Sequence, residues 1–179
     1  MSIKISLKTN ISEKQIRNFV LFSDNEFKIH GLAQLALAKN SVFINKIISL
    51  NKSKDKKFLI FNLNSYQKVI LIKLENIKSS IEIEKSGAEF YEFIKTNLLF
   101  DLTFLENNIQ GFNKYNKNLL DEFLHGIKLK SYEFNKYKTK KETKYITIDV
   151  IGKYKPSKSI QARFDALEKG TYYTRDLVS

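Results

Sequence analysis

Two histidines, His30 and His125, are the side chains in this sequence best suited to acid–base or metal chemistry near neutral pH. Each lies in a segment that we predict to be helical. Neither is accompanied by a His-Glu-x-x-His pair, a cysteine cluster or an Asp-x-Asp loop, the patterns that bring metal ligands together. A lone histidine on a helix is most often a surface or capping residue, and we interpret both histidines in that way.

Motifs for nucleophilic catalysis and for phosphate binding are also missing from the sequence. No Gly-x-Ser-x-Gly elbow presents a serine for attack. The six glycines lie far apart, whereas a phosphate cradle needs several backbone amides at close approach, which clustered glycines usually supply. ADP-ribose or nucleotide binding therefore has little support in the sequence.

The carboxylates do not form an acid–base pair either. Asp121 and Glu122 are adjacent on a predicted helix, where neighbouring side chains point about 100° apart, so we interpret them as part of a solvated helix face. Asp149 interrupts a predicted strand and would mark an edge or a cap. We therefore assign no catalytic, cofactor-binding or metal-binding residue to this chain, and we predict no cofactor for it.

The net charge of +12 raises the alternative of a basic nucleic-acid-binding module. Residues 128–155 interleave lysines, including Lys138, Lys140 and Lys141, with tyrosines that could stack on bases. However, lysine supplies 28 of the 31 basic residues, whereas base-edge and phosphate sites favour arginine. We interpret the charge mainly as a solvated surface, and nucleic-acid binding stays the alternative.

Length and composition favour one globular domain in the cytoplasm. The chain has 179 residues, 42% of them hydrophobic, and its longest apolar runs are four residues, far below the roughly 20 of a membrane-spanning helix. The first eight residues alternate polar and apolar side chains and lack the apolar block of a secretory signal. Without cysteine, no disulfide can form.

Hydrophobic periodicity predicts alternating strands and helices. We predict strands at residues 3–7, 19–22, 58–63, 69–74, 98–105 and 145–151, with a hairpin at residues 64–67. Helices are predicted at residues 29–40, 80–95, 120–132 and 157–179, and charged loops at residues 51–57 and 136–144. This alternation indicates an α/β fold: a mixed sheet of five or six strands flanked by helices on both faces.

Two C-terminal segments resemble the junction region of the leucyl (cytosol) aminopeptidase family. That family has a helix with the pattern Gly-x-x-Leu-x-x-Tyr-x-Phe-x-x-Tyr-Lys, and a connecting helix that ends in Arg-Asp-Leu-Val. The matching residues here are Gly126, Leu129, Tyr132, Phe134, Tyr137, Lys138, Arg175, Asp176, Leu177 and Val178. After its strand near residue 70 the family usually carries Gly-Leu-Gly, where this chain has Lys73, Leu74, Glu75 and Asn76.

The resemblance implies that this chain is the N-terminal domain of such an enzyme. Members are two-metal exopeptidases that remove N-terminal amino acids from peptides, with zinc or manganese as the metal. Their N-terminal domain is macrodomain-like, their catalytic residues lie in a larger C-terminal domain, and they assemble as hexamers. On this basis we expect residues 1–156 to form the macrodomain-like domain and residues 157–179 to form a connecting helix toward a C-terminal catalytic domain.

The apolar side chains of the last predicted helix indicate how its two halves pack. Its apolar side, formed by Ile160, Phe164, Leu167, Thr174 and Leu177, would pack on the sheet through its first three turns. After Gly170, bulky apolar groups lie on more than one face of the helix, at Tyr172, Tyr173 and Val178. We therefore expect residues 157–169 to be well ordered, and residues 170–179 to fray or to pack against another copy of the chain.

Overall fold

The structure, a computed structural model, describes residues 2–32, 37–51, 56–74, 79–112, 116–132 and 145–178. Six strands form one sheet, and all six lie where the sequence predicts a strand. They are β1 (Ser2–Lys8), β2 (Asn18–Ser23), β3 (Phe58–Asn62), β4 (Lys68–Lys73), β5 (Asp101–Leu105) and β6 (Tyr145–Ile151). The predicted charged loops, at residues 51–57 and 136–144, fall largely or wholly outside the described residues.

In the described part of the chain, five α-helices lie between the strands or after the last one. They are α1 (Ser41–Asn51), α2 (Ser80–Thr96), α3 (Glu106–Gln110), α4 (Leu119–Ser131) and α5 (Lys158–Val178). Helices α2, α4 and α5 confirm the predictions from periodicity. Helix α2 begins with a capping box, in which Ser79 and Glu82 each accept a hydrogen bond from the other's backbone N–H. The hydroxyl of Ser157 accepts from the backbone N–H of Ile160 at the start of α5.

The sheet is mixed, with the strand order β1-β6-β5-β2-β4-β3. Its first five strands run parallel, and β3 pairs antiparallel with β4 through the predicted hairpin, with Phe58 opposite Ile72. Strand β1 therefore forms one edge, far in the sequence from its only neighbour, β6. Parallel strands need crossover connections, which are usually helical, and these account for much of the alternation of elements along the chain.

Each central strand contributes to two separate cores. On β4, Ile70 and Ile72 belong to the core beneath α2 and α4, whereas Val69 and Leu71 belong to the core beneath α1. This alternation follows from the two-residue period of a strand. Because both faces of β2 and β4 are covered by apolar side chains, the strands read as continuous apolar runs in the sequence. The mixed α/β sheet is thus confirmed.

The prediction of one helix over residues 29–40 is wrong. His30 and Gly31 form a turn in which Gly31 has a φ of 70°, and Ala38–Asn40 form a short 3₁₀ helix; residues 33–36 lie outside the described part of the chain. The helix is instead α1, at residues where we predicted neither a helix nor a strand. Ile44 and Ile48 are buried one turn apart on α1, and this spacing outweighs the lower helix propensity of β-branched residues.

Two glycines explain how closely α2 and α4 pack. A β-carbon at Gly87 of α2 would collide with the carbonyl oxygen of Phe123, and one at Gly126 of α4 would collide with the carbonyl oxygen of Glu84. The two helix backbones therefore touch where they cross, and only glycine leaves room for that contact. Gly87, which weakens the helix prediction by propensity, is required by the packing of the helix.

Among the described residues, no helix is both long enough and apolar enough to cross a bilayer.

Candidate functional site

The C-terminal ends of α4 and α5 meet and hydrogen-bond to each other. The Tyr172 hydroxyl donates to the carbonyl oxygen of Lys128 at 2.9 Å, and the Arg175 guanidinium donates to that of Leu129 at 2.6 Å. Both acceptors lie in the last turn of α4, where carbonyl groups have no partner within their own helix. Helix α5 thus caps helix α4 with side chains.

An aromatic stack reinforces the same contact. The rings of Tyr132 and Tyr172 lie 4.7 Å apart and 26° from parallel, and the Arg175 guanidinium lies 5.6 Å from the centre of the Tyr132 ring. The Tyr132 hydroxyl also donates a hydrogen bond to the Asp176 carboxylate. We call Tyr132, Tyr172, Arg175 and Asp176 the junction cluster. It joins the two segments that carry the family resemblance in the sequence.

The expectations for the end of the chain need correction. Helix α5 continues without a break through Gly170 to Val178, and the junction cluster holds its last turns against α4. The apolar side does not pack on the sheet as expected. Phe164 is buried, but Leu167 and Leu177 are 48% and 68% exposed. The helix packs on α4 instead, with Phe164 as its buried anchor.

His125 is a core residue, which corrects its interpretation as a surface or capping histidine. It is 2% exposed, and its Nδ1 lies 3.0 Å from Oε1 of Glu84 on α2. Its ring stacks on Phe164 of α5 with the centroids 4.1 Å apart and the planes 9° from parallel. The histidine therefore links three helices, α2, α4 and α5.

Beside His125, helices α4 and α5, strand β1 and the loop before α5 border a cleft of about 390 Å³, which we call the α4–α5 cleft. Three buried polar atoms in its lining have no hydrogen-bond partner: Nε2 of His125, the Tyr154 hydroxyl and Oε1 of Glu168. Lys128 Nζ and His125 Nε2 lie 3.4 and 4.0 Å from that Glu168 oxygen. Unsatisfied buried polar atoms are rare in proteins, so three in one cleft mark a candidate binding site.

Burial changes the acid–base properties of two cleft residues. It raises the pKa of the Asp121 carboxyl, and the neighbouring Tyr154 hydroxyl lowers that pKa in part. The pKa of Tyr154 rises well above its usual value, first because of burial and then because of the neighbouring carboxylates of Asp121 and Glu106. Tyr154 therefore keeps its proton throughout the physiological range.

The predicted solvated face at Asp121 and Glu122 is wrong as well. Asp121 lines the α4–α5 cleft, whereas Glu122 is buried toward α2. There Glu122 accepts hydrogen bonds from Ser80 at 2.7 Å and from Asn116 at 2.9 Å. The two carboxylates do point apart, so they do not form an acid–base pair.

The other residues singled out in the sequence have structural roles. His30 lies in the turn after β2, not in a helix, and packs edge-on against Phe112 with ring centroids 4.8 Å apart. Asp149 accepts hydrogen bonds from Ser6 and from Lys8, both at 2.7 Å, and so ties edge strand β1 to β6. Neither residue lies in the α4–α5 cleft.

The tyrosines and lysines proposed for nucleic-acid binding are only partly described. Lys138, Lys140 and Lys141 lie outside the described residues, as does Tyr137. Lys128 and Lys130 form ion pairs with Glu168 and Glu92. Tyr132 stacks within the junction cluster, and Tyr154 lines the cleft. These four side chains are therefore engaged within the domain.

A two-metal centre needs several carboxylates or histidines that converge. In the part of the chain that the structure describes, no group of three or more His, Asp or Glu side chains could hold a metal ion. The described residues thus do not fit the metal centre that the family resemblance implies for the parent enzyme.

No protein-family model matches the sequence, and a search of curated proteins finds no match. Among solved structures, the fold is similar to that of a mutant of tomato leucine aminopeptidase, with a TM-score of 0.64 and 15% identity over 95% of this chain. It is also similar to the macro domain of ganglioside induced differentiation associated protein 2, with a TM-score of 0.54 and 11% identity over 96% of this chain and 81% of that one.

These similarities concern the fold. They confirm the macrodomain-like α/β architecture. The chain spans 36% of the length of the tomato enzyme that it matches.

Proposed function

We propose that this chain is the N-terminal, non-catalytic domain of a leucyl-aminopeptidase-like metallo-exopeptidase. The observation that carries the proposal is the similarity in fold to tomato leucine aminopeptidase, which extends over 95% of this chain and 36% of that enzyme. A domain of this size would leave most of such an enzyme, including its catalytic part, to the rest of the polypeptide. Fold similarity alone does not establish an activity, so the proposal needs support from particular residues.

The junction cluster supplies that support. The family pattern places a tyrosine near the end of one helix and Arg-Asp at the end of the connecting helix, and here Tyr132 contacts both Arg175 and Asp176. Because these contacts hold α5 against α4, a domain that follows α5 would be attached in a defined orientation. In this proposal residues 1–156 form the accessory domain and residues 157–179 the connecting helix.

The parent protein would carry its catalytic residues in a C-terminal domain. Its C-terminal domain would bind two divalent metal ions, zinc or manganese, and remove N-terminal amino acids from peptides in the cytoplasm. The subunits would assemble as a hexamer. In this view the present chain contributes to attachment and assembly, and the residues that bind metal and substrate belong to the catalytic domain.

The decisive experiment is to read the coding sequence downstream of residue 179 and to purify the polypeptide that it encodes. We expect a further domain with a conventional set of carboxylate metal ligands, and metal-dependent hydrolysis of leucine p-nitroanilide by the full-length protein. The isolated 179-residue chain, assayed with added manganese or zinc, is expected to be inactive. An unrelated downstream domain, or an isolated chain whose metal-stimulated turnover is lost on mutating one of its carboxylates, would overturn the proposal.

A further inference from the structure

The α4–α5 cleft combines buried acceptors with an excess of acidic groups. Glu168 Oε1 is buried and accepts no hydrogen bond, although Lys128 Nζ lies 3.4 Å away. Asp121 and Asp165 also line the cleft, and among the described residues Lys128 is the only lysine or arginine that lines it. Three carboxylates thus face one ammonium group, and a bound cation would compensate the remaining negative charge.

A second observation makes the cleft more than an acidic cluster. The His125 side chain is about 99% buried, with 1% of its surface exposed, and its Nε2 lines the cleft without a hydrogen-bond partner. Tyr154 is beside it, with a buried hydroxyl that also lacks a partner. Such atoms are normally satisfied by ordered water or by a ligand. All three unsatisfied atoms face the same volume, so one occupant could satisfy them together.

The remaining wall of the cleft is apolar. Ile5 and Leu7 of β1, Leu124 of α4 and Phe164 of α5 line it opposite the polar groups. Leu7 is 47% exposed. A volume of about 390 Å³ is large enough for a small organic molecule and exceeds what one or two waters need. The occupant that fits both walls therefore has a polar head and a short apolar chain.

We propose that the α4–α5 cleft binds a small organic cation, a primary ammonium group on a short branched or linear apolar chain. The ammonium group would donate to Glu168 Oε1 and to the Tyr154 hydroxyl, with Asp121 supplying further negative charge. The apolar chain would lie against Phe164 and Leu7. Since no metal-binding group of three side chains exists among the described residues, an organic cation fits the cleft better than a metal ion.

Binding in this cleft would couple to the position of α5. Phe164, Asp165 and Glu168 belong to α5, whereas Asp121 and His125 belong to α4. A ligand that contacts both helices favours the arrangement in which they pack together, because binding stabilises the state that binds. This inference does not depend on the proposed function, since every residue that it uses is in this chain.

Three probes with the same carbon skeleton test the proposal: 3-methylbutylammonium, 3-methylbutanol and 3-methylbutanoate. Their binding to the intact chain is measured by ¹⁵N and aromatic ¹³C NMR titration, and intermolecular NOEs locate the methyl groups. We expect the amine to bind with NOEs to the Phe164 ring, the alcohol to bind about tenfold more weakly, and the acid not to bind. Equal affinity for amine and alcohol, tighter binding of the acid, or NOEs only outside the cleft would overturn the proposal.

Variants distinguish amine binding in the cleft from nonspecific attraction to surface charge. Glu168→Gln keeps the shape and removes the acceptor charge, so the amine affinity is expected to fall about tenfold or more. Glu92→Gln is the matched control, because Glu92 pairs with Lys130 on the outer surface and is expected to leave the affinity unchanged. If Glu168→Gln weakens folding, Asp121→Asn provides the second test with the same expected direction. An unchanged affinity in folded Glu168→Gln or Asp121→Asn protein would exclude the cleft as the site.

Discussion

The imidazole of His125 lies flat on the ring of Phe164, with centroids 4.1 Å apart and planes 9° from parallel. This contact links α4 to α5, and Phe164 is the buried apolar anchor of α5. Nδ1 of the same imidazole lies 3.0 Å from Oε1 of Glu84 on α2. One buried histidine on α4 therefore contacts side chains of both α2 and α5.

Phe164→Ala should detach α5 from α4. Phe164 is 7% exposed, and removing a buried phenylalanine ring costs about 3 kcal/mol or more of the free energy of unfolding. Urea denaturation followed by circular dichroism measures that loss. Leu167→Ala on the same helix is the control, since the largely exposed Leu167 should change stability by about 0.5 kcal/mol or less. Equal losses in the two variants would contradict the anchoring role of Phe164.

Gly126→Ala should destabilise the crossing of α2 and α4. The new methyl group would meet the backbone carbonyl of Glu84, and such overpacking typically costs about 1–3 kcal/mol. Gly170→Ala should have the opposite effect on stability, because no atom lies within 4 Å of the added methyl group. There the substitution should stabilise helix α5 by about 0.5–1 kcal/mol. Thermal melts of both variants test the pair, and a neutral Gly126→Ala would show that the helices can separate at little cost.

Truncation after Lys169 should lower the melting temperature by several degrees. It removes the hydrogen bonds from Tyr172 and Arg175 to the end of α4, each worth about 1 kcal/mol net. For a domain of this size, the loss of both bonds lowers the melting temperature by roughly 4–8 °C. Truncation after Asp176 keeps the junction cluster and should leave the melting temperature nearly unchanged. An equally small effect of both truncations would indicate that residues 170–179 fray, as expected from the sequence.

Tyr154→Phe should raise the pKa of Asp121 further, because it removes the neighbouring hydroxyl that lowers this pKa and leaves the burial that raises it. A carboxyl with a raised folded-state pKa destabilises the fold once it ionises. That cost is absent below the unfolded-state pKa and grows as the pH rises through the folded-state value. The variant should therefore lose more stability at neutral pH than in acid.

NMR titration of the Asp121 carboxyl carbon measures this pKa directly. Tyr173→Phe, on the exposed side of α5, is the control and should leave the Asp121 pKa as it is. A pKa that falls in Tyr154→Phe would mean that the Tyr154 hydroxyl does not stabilise the Asp121 carboxylate.

DNA binding should be weak, independent of sequence and lost near physiological salt, if the charge of +12 is a solvated surface. Titrations with duplex and single-stranded DNA at low and at physiological salt measure this dependence. The alternative of a nucleic-acid-binding module predicts submicromolar affinity at the higher salt, reduced when Lys138, Lys140 and Lys141 are replaced together. Retained tight binding of that kind would favour the alternative.

The sequence by itself determined the elements of the sheet. The alternation in residues 3–7 and the apolar runs at residues 19–22 and 69–72 are local patterns, and each strand can be recognised without its partners. Helices α2, α4 and α5 follow from three- and four-residue spacing in the same way. The family resemblance likewise rests on short segments, one around Gly126 and one ending in Val178.

Only the tertiary structure decided which residues meet. His125, Glu84 and Glu168 are separated by 41 and 43 residues in the chain, so no local spacing indicated that the imidazole lies between the two carboxylates. The same holds for Gly87 beneath Phe123, where a residue unfavourable for an isolated helix is needed by the crossing of two helices. Periodicity reports which side of an element is buried, but burial of a polar group depends on partners that the fold brings from distant elements.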